Sequence, residues 1–138
     1  MLRRVVAAVV VFAAVVIVGL VAYEALKPEP ASVQDARRVS REFDFSSATT
    51  ILGSGVSQDS AFLTISRSRE EPLARVVRAP KRFAVVDGAL DEGTPSRSGA
   101  PIVTWSGEAG ASGRTCVATL RPVSKEPDQL RLEVTCAE

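Results

Sequence analysis

The chain of 138 residues contains no histidine, two cysteines, one tryptophan, one tyrosine and one methionine. Without imidazole there is no Ser-His nucleophile pair, no HExxH zinc helix and no Cys2His2 finger. A surplus of one charge is also missing. Lys plus Arg number 17 against 16 Asp plus Glu, a net charge of +1, so the basic excess of a dedicated nucleic-acid binder is absent and no specific nucleic-acid partner is expected. The Ser, Thr and Gly residues around Thr104–Thr115 form neither a GxSxG elbow nor a phosphate loop. The sequence therefore assigns no catalytic residue, metal ligand or cofactor, and its length allows one ordinary domain.

The first segment supplies what the composition elsewhere withholds. Val5 to Tyr23 is a run of 19 residues with no charge and no side-chain amide. As a helix it would measure about 28 Å, close to the hydrocarbon thickness of a bilayer. A soluble helix of this kind would need burial on every side, and the remaining chain is too small to wrap it. The expected organisation is a tail at 1–4, a transmembrane signal-anchor at 5–26, a proline-containing spacer at 27–31 and a domain at 32–138. The bilayer is thus the first partner, met through residues 5–26.

Orientation rests on a near tie, with Arg3 and Arg4 before the segment and Lys27, Arg37 and Arg38 after it. The short basic tail resembles a signal n-region, and both cysteines follow the segment. The expectation is a single-pass cell-membrane protein with a cytoplasmic N-terminus and an extracytoplasmic domain. Signal cleavage is the competing reading. The small-residue rule fits poorly at Ala22, Ala25 and Ala31, which have Leu20, Tyr23 and Glu29 two residues earlier.

After Pro28 and Pro30, which cannot continue a helix, Ser32 can cap a short amphipathic one carrying Val33, Ala36, Val39 and Phe43. Gly53 and Gly55 with Ser54 and Ser57 read as a turn, and Ala61–Ser66 as a strand. Pro72 opens a one- or two-turn helix or an irregular strand through Leu73, Val76 and Val77. Phe83–Val86 ends at the Asp87-Gly88 turn signal, and Ala89–Ala100 reads as an exposed loop. Pro101–Ser106 is a further strand, with Val103 and Trp105 on one face, followed by a loop carrying Gly107, Gly110 and Gly113.

The last third has a strict period of two. Leu130, Leu132, Val134 and Cys136 alternate with Gln129, Arg131, Glu133 and Thr135, and Cys116, Ala118 and Leu120 share a face. An antiparallel hairpin across Pro122–Asp128 has one register that opposes Cys116 with Cys136, Ala118 with Val134 and Leu120 with Leu132. A Cys116–Cys136 disulfide follows, since the spacing is wrong for a CxxC redox pair. The fold class expected is one N-terminal transmembrane helix plus a small α+β or mostly-β domain ending in an antiparallel meander.

Three constellations remain. Arg75, Arg78, Lys81 and Arg82 form a basic cluster that could contact an anionic surface. Against this, Glu70 and Glu71 precede it, and residues 27–138 carry 15 charges of each sign, which favours a solvated edge. Asp87, Asp91 and Glu92 could hold calcium, but they follow no EF-hand spacing. Lys81-Arg82-Phe83-Ala84-Val85-Val86-Asp87-Gly88, with Ser54 upstream, resembles the Lys-Arg-apolar segment of membrane-anchored signal peptidases. That resemblance implies Ser54 as nucleophile and Lys81 as its base. The Met after the serine, the Pro-Thr stretch and the late Gly-Asp element of that family are missing here. The reading adopted is an anchored envelope protein, not an enzyme, whose exported domain serves other envelope or membrane proteins as an interaction or accessory module. A Ser/Lys hydrolase and a secreted ligand-binding module are the alternatives.

Overall fold

In the computed structural model, residues 1–90, 100–123 and 126–138 are described. Their elements are α1 (Leu2–Leu26), α2 (Ala31–Glu42), β1 (Asp44–Phe45), β2 (Thr50–Val56), β3 (Ser60–Ser66), α3 (Leu73–Val76), β4 (Val77–Arg78), β5 (Ala84–Gly88), β6 (Val103–Glu108), β7 (Thr115–Val123) and β8 (Glu126–Cys136). The long strands form one antiparallel sheet in the order β2-β3-β8-β7-β6-β5, and β1 pairs with β4 in a two-stranded ladder. The apolar N-terminal helix and a C-terminal antiparallel meander, β6-β7-β8, are as expected. The sheet of six strands is wider than that meander, because the β2–β3 hairpin adds to the free side of β8 and β5 to the free side of β6.

Helix α1 runs one turn further back than the apolar run, taking in Arg3 and Arg4, and none of its residues is buried. The helical pattern after the prolines is present, with one correction. Pro30, at φ −53°, is the N-cap and Ser32 lies buried inside the first turn without capping. The proline sets the entry angle, so the helix begins before the serine can cap it. Val33, Ala36 and Val39 face inward, and α2 packs on β3 and β8.

The core is laid out in rows across the sheet. Leu63, Leu132, Leu120 and Val103 form one row, and Ala61, Val134, Ala118 and Trp105 the next. All eight are buried. The hairpin register is the expected one, with Cys116 opposite Cys136, Ala118 opposite Val134 and Leu120 opposite Leu132. Its strands reach further than anticipated, to Val123 on one side and from Glu126 on the other. At the end of α2, Phe43 stacks edge-on against Trp105 at 5.3 Å and Phe83 at 5.9 Å. Beneath Phe83, Gly107 is part of β6 and not of the following loop. A Cβ there would sit 2.7 Å from the Phe83 ring.

Two turn assignments are overturned. Gly53, Ser54 and Gly55 lie within β2, and the chain reverses around Gln58 and Asp59 instead. Gly55 is bare because the Phe62 ring crosses it; a Cβ would come within 2.5 Å of that ring. Glycine here serves a cross-strand aromatic contact and not a turn. Asp87 and Gly88 likewise belong to β5. Gly88 has φ +71° and its missing Cβ would meet the Ile102 carbonyl oxygen at 2.2 Å, so only glycine fits. Pro72 precedes one helical turn that runs directly into β4, so both readings of that segment hold in sequence.

Candidate functional site

A concavity of the domain lies where α2 passes beside edge strand β2. It is a groove of about 280 Å³ with Arg37, Ser40 and Arg41 on the helical rim and Ser54, Val56 and Ala61 among its strand residues. Arg37 and Arg41 are one turn apart, so both guanidinium stems leave the same helical face. Arg37 meets the half-buried Glu29 carboxylate at 2.7 Å. Arg41 is exposed and has no ion-pair partner among the described residues. The Ser40 hydroxyl turns back to donate to the Arg37 carbonyl at 2.8 Å and so presents little polarity of its own.

The strand side of the groove is set by the β2–β3 hairpin. The Ser57 amide donates to the Ser60 carbonyl at 2.8 Å, and antiparallel pairs alternate from there. Val56 with Ala61 and Ser54 with Leu63 are therefore non-hydrogen-bonded pairs. Their amide N–H and C=O groups point away from β3, to the open edge. Ser54 and Val56 share the face of buried Ala61 and Leu63, so the same two residues offer side chains to the groove and backbone groups to its border. On the opposite face the Arg131 guanidinium lies over the Phe62 ring at 3.9 Å, fixing that ring across Gly55.

The basic quartet is dispersed in its duties. Arg82 pairs with the Glu42 carboxylate and donates from Nε to the Glu108 carbonyl, tying the end of α2 to β6. Arg78 is exposed and stands opposite Asp44 in the small ladder. Arg75, at the surface of α3, and Lys81, in the following turn, are exposed. Arg82 is thus a framework residue, and its three companions carry the remaining surface charge of that segment.

Ser54 and Lys81 are not brought together. Ser54 lies on β2, at one edge of the sheet, and Lys81 lies just before β5, at the other. Five strand spacings separate the two edges, about 24 Å, beyond the reach of a lysine for proton transfer. Asp87 accepts the Gly88 amide at 3.0 Å, while Asp91 and Glu92 lie outside the described residues. Among the described residues no three His, Cys, Asp or Glu side chains are grouped as metal ligands.

Cys116 and Cys136 are bonded, with Cα atoms 4.0 Å apart. The neighbouring Ala137 amide donates to the Thr115 carbonyl, which makes the cysteines a non-hydrogen-bonded pair, the closer of the two antiparallel types. Next to them a polar knot joins three elements. Buried Asp35 on α2 accepts the Ser112 hydroxyl at 2.6 Å and pairs with Arg114 at 3.1 Å, and Arg114 also donates to the Ala137 carbonyl. Sequence reasoning missed this knot, since nothing local links Asp35 to residues 112–114. It also missed the groove. Two arginines at helical spacing and a charge-free Thr50–Val56 segment were the available signals.

No protein family, curated protein or solved structure matches this chain.

Proposed function

We propose that this is a single-pass membrane-anchored protein whose domain lies outside the cytoplasm and works as an interaction or accessory module for other envelope or membrane proteins. The observation that carries the reading is α1. Its 25 residues are long and apolar enough to cross a membrane, and among the described residues nothing buries any of them. Exposing so many Val, Ile, Leu and Phe side chains to water would cost roughly 1.5–3 kcal/mol apiece, and a bilayer removes that cost. The disulfide supports placement of the domain in an oxidising compartment. The α2–β2 groove supports an interaction role, because it joins Arg41, without an ion-pair partner among the described residues, to backbone groups of β2 that face away from β3.

The test is topological. The full chain with a tag after Glu138, expressed in a bacterial host, should stay with the membrane through alkaline carbonate extraction. The tag should be cleaved by protease added to spheroplasts. A tag protected until lysis reverses the orientation. A chain found free in the medium with a new N-terminus near Ala25 replaces the anchor by a cleaved signal.

A further inference from the structure

We propose that β2 accepts an extended peptide segment of a partner protein as an added strand, and that carboxylates two residues apart on that segment meet Arg37 and Arg41. This rests on the reading of the domain as an interaction module and names the chemistry of its partner.

Three observations converge on the same few residues. Ser54 and Val56 turn their backbone N–H and C=O groups to the open edge. The strand carries no charge and no proline, two of the usual guards against strand addition, and the register irregularity between Ile51 and Gly53 leaves Gly53 to Val56 as the regular stretch open to pairing. A strand pairing there places the residues opposite Ser54 and Val56 on the groove side, because directly opposed residues share a face.

The spacing then matches. Residues two apart on a strand are separated by about 6.7 Å. Arg37 and Arg41 are separated by about 6 Å along the helix. Both arginines line the groove that Ser54 and Val56 border. The protein already illustrates the preference, since the Glu29 carboxylate sits on Arg37 at 2.7 Å in a partly exposed pair that an incoming carboxylate can exchange. A second copy of this chain is the poorer occupant. Its own Thr50–Val56 has no carboxylate, so pairing edge to edge would leave the Arg41 of each copy without an anionic partner from the added strand. Main-chain bonds would supply affinity and alternate side chains specificity, as in other strand-addition complexes.

The experiment uses the full chain in non-ionic detergent and three fluorescein-labelled peptides. The first is Ser-Thr-Glu-Thr-Glu-Thr-Ser; the second has Gln for both Glu; the third keeps both Glu but places them adjacent. The first should bind roughly tenfold more tightly than either of the others, since only it offers both charges on one face. Arg41→Glu should reverse that preference. Val56→Pro should abolish binding while leaving the thermal midpoint unchanged, because the lost N–H points away from β3. Should that variant shift the midpoint, the peptide series with Arg41→Glu decides alone.

Equal binding of the three peptides overturns the proposal, as does binding that survives Val56→Pro at an unchanged midpoint. A peptide-free dimer abolished by Val56→Pro assigns the edge to a second copy instead. Binding of phosphatidylglycerol vesicles but of no peptide assigns the arginines to a lipid surface. If no peptide binds while the tag after Glu138 remains accessible on membranes, the strand-addition proposal falls and the anchored-module reading stands.

Discussion

Leu132 and Glu133 are neighbours in sequence with opposite surroundings. Leu132 is fully buried between Leu63 and Leu120, whereas Glu133 points to the other face and is only partly covered. Leu132→Asp would place an unpaired carboxylate among leucines, and we expect it to destabilise the domain by more than about 4 kcal/mol. Glu133→Ala should stay within about 0.5 kcal/mol. Urea titration followed by tryptophan fluorescence measures both, since Trp105 sits in the same core. Similar midpoints for the two variants would contradict the register. Gly88→Ala is a second residue-scale prediction. A positive φ and a carbonyl 2.2 Å from the new Cβ both oppose it. The loss should reach at least about 1–3 kcal/mol, although the residue is exposed and small.

Among the elements, the β7–β8 hairpin carries the covalent link. The bond joins residues 20 apart in sequence, and cross-linking a loop of that length is worth about 3 kcal/mol in the chain-entropy account. Reduction by dithiothreitol, or Cys116→Ala with Cys136→Ala, should therefore lower the urea midpoint without changing the fold. Far-ultraviolet circular dichroism before the transition and the midpoint itself check the two halves of that statement. An unchanged midpoint would contradict this expectation and point to residual structure that already holds the two strands together in the unfolded chain. Helix α2 depends on contacts of another kind. Val33, Ala36 and Val39 hold it to the sheet, while Asp35 anchors its first half to Ser112 and Arg114. Asp35→Leu removes the acceptor and leaves Arg114 beside an apolar group. A loss of about 1–3 kcal/mol is expected by thermal unfolding, whereas Arg38→Ala, whose exposed guanidinium stands 3.7 Å from Asp35, should be nearly neutral.

At the scale of the whole molecule, α1 and the domain are joined by a very short connection. Lys27 to Pro30 separate α1 from α2. Four extended residues reach no more than about 14 Å, and two prolines stiffen them. If α1 spans a bilayer, the start of α2 therefore stays close to the headgroup layer. Inserting twelve Gly-Ser residues after Pro30 should leave membrane retention intact and increase protease access to the Lys27–Pro30 segment. Release of the protein from the membrane in that variant would contradict a membrane-spanning α1, because the insertion leaves α1 itself unchanged.

The alternation in residues 129–136 and 116–120 shows which side chains face inward, and of the even slips it allows only one also opposes Cys116 with Cys136, which is the hairpin register observed. The apolar run likewise determined α1, since length and lack of charge are local properties. Sheet order is not local. No pattern within residues 60–66 says that Leu63 will lie beside Leu132 and not on some other strand, yet that pairing decides where the edges are. It places Ser54 and Lys81 on opposite sides of the sheet and leaves Ser54 and Val56 with free backbone groups. The glycines of β2 were misread for a related reason, since glycine signals a turn from sequence alone, and only the Phe62 ring lying across Gly55 gives it a different use. The groove between Arg41 and Val56 thus belongs to the tertiary structure, because it forms between elements whose adjacency depends on how distant strands share one core.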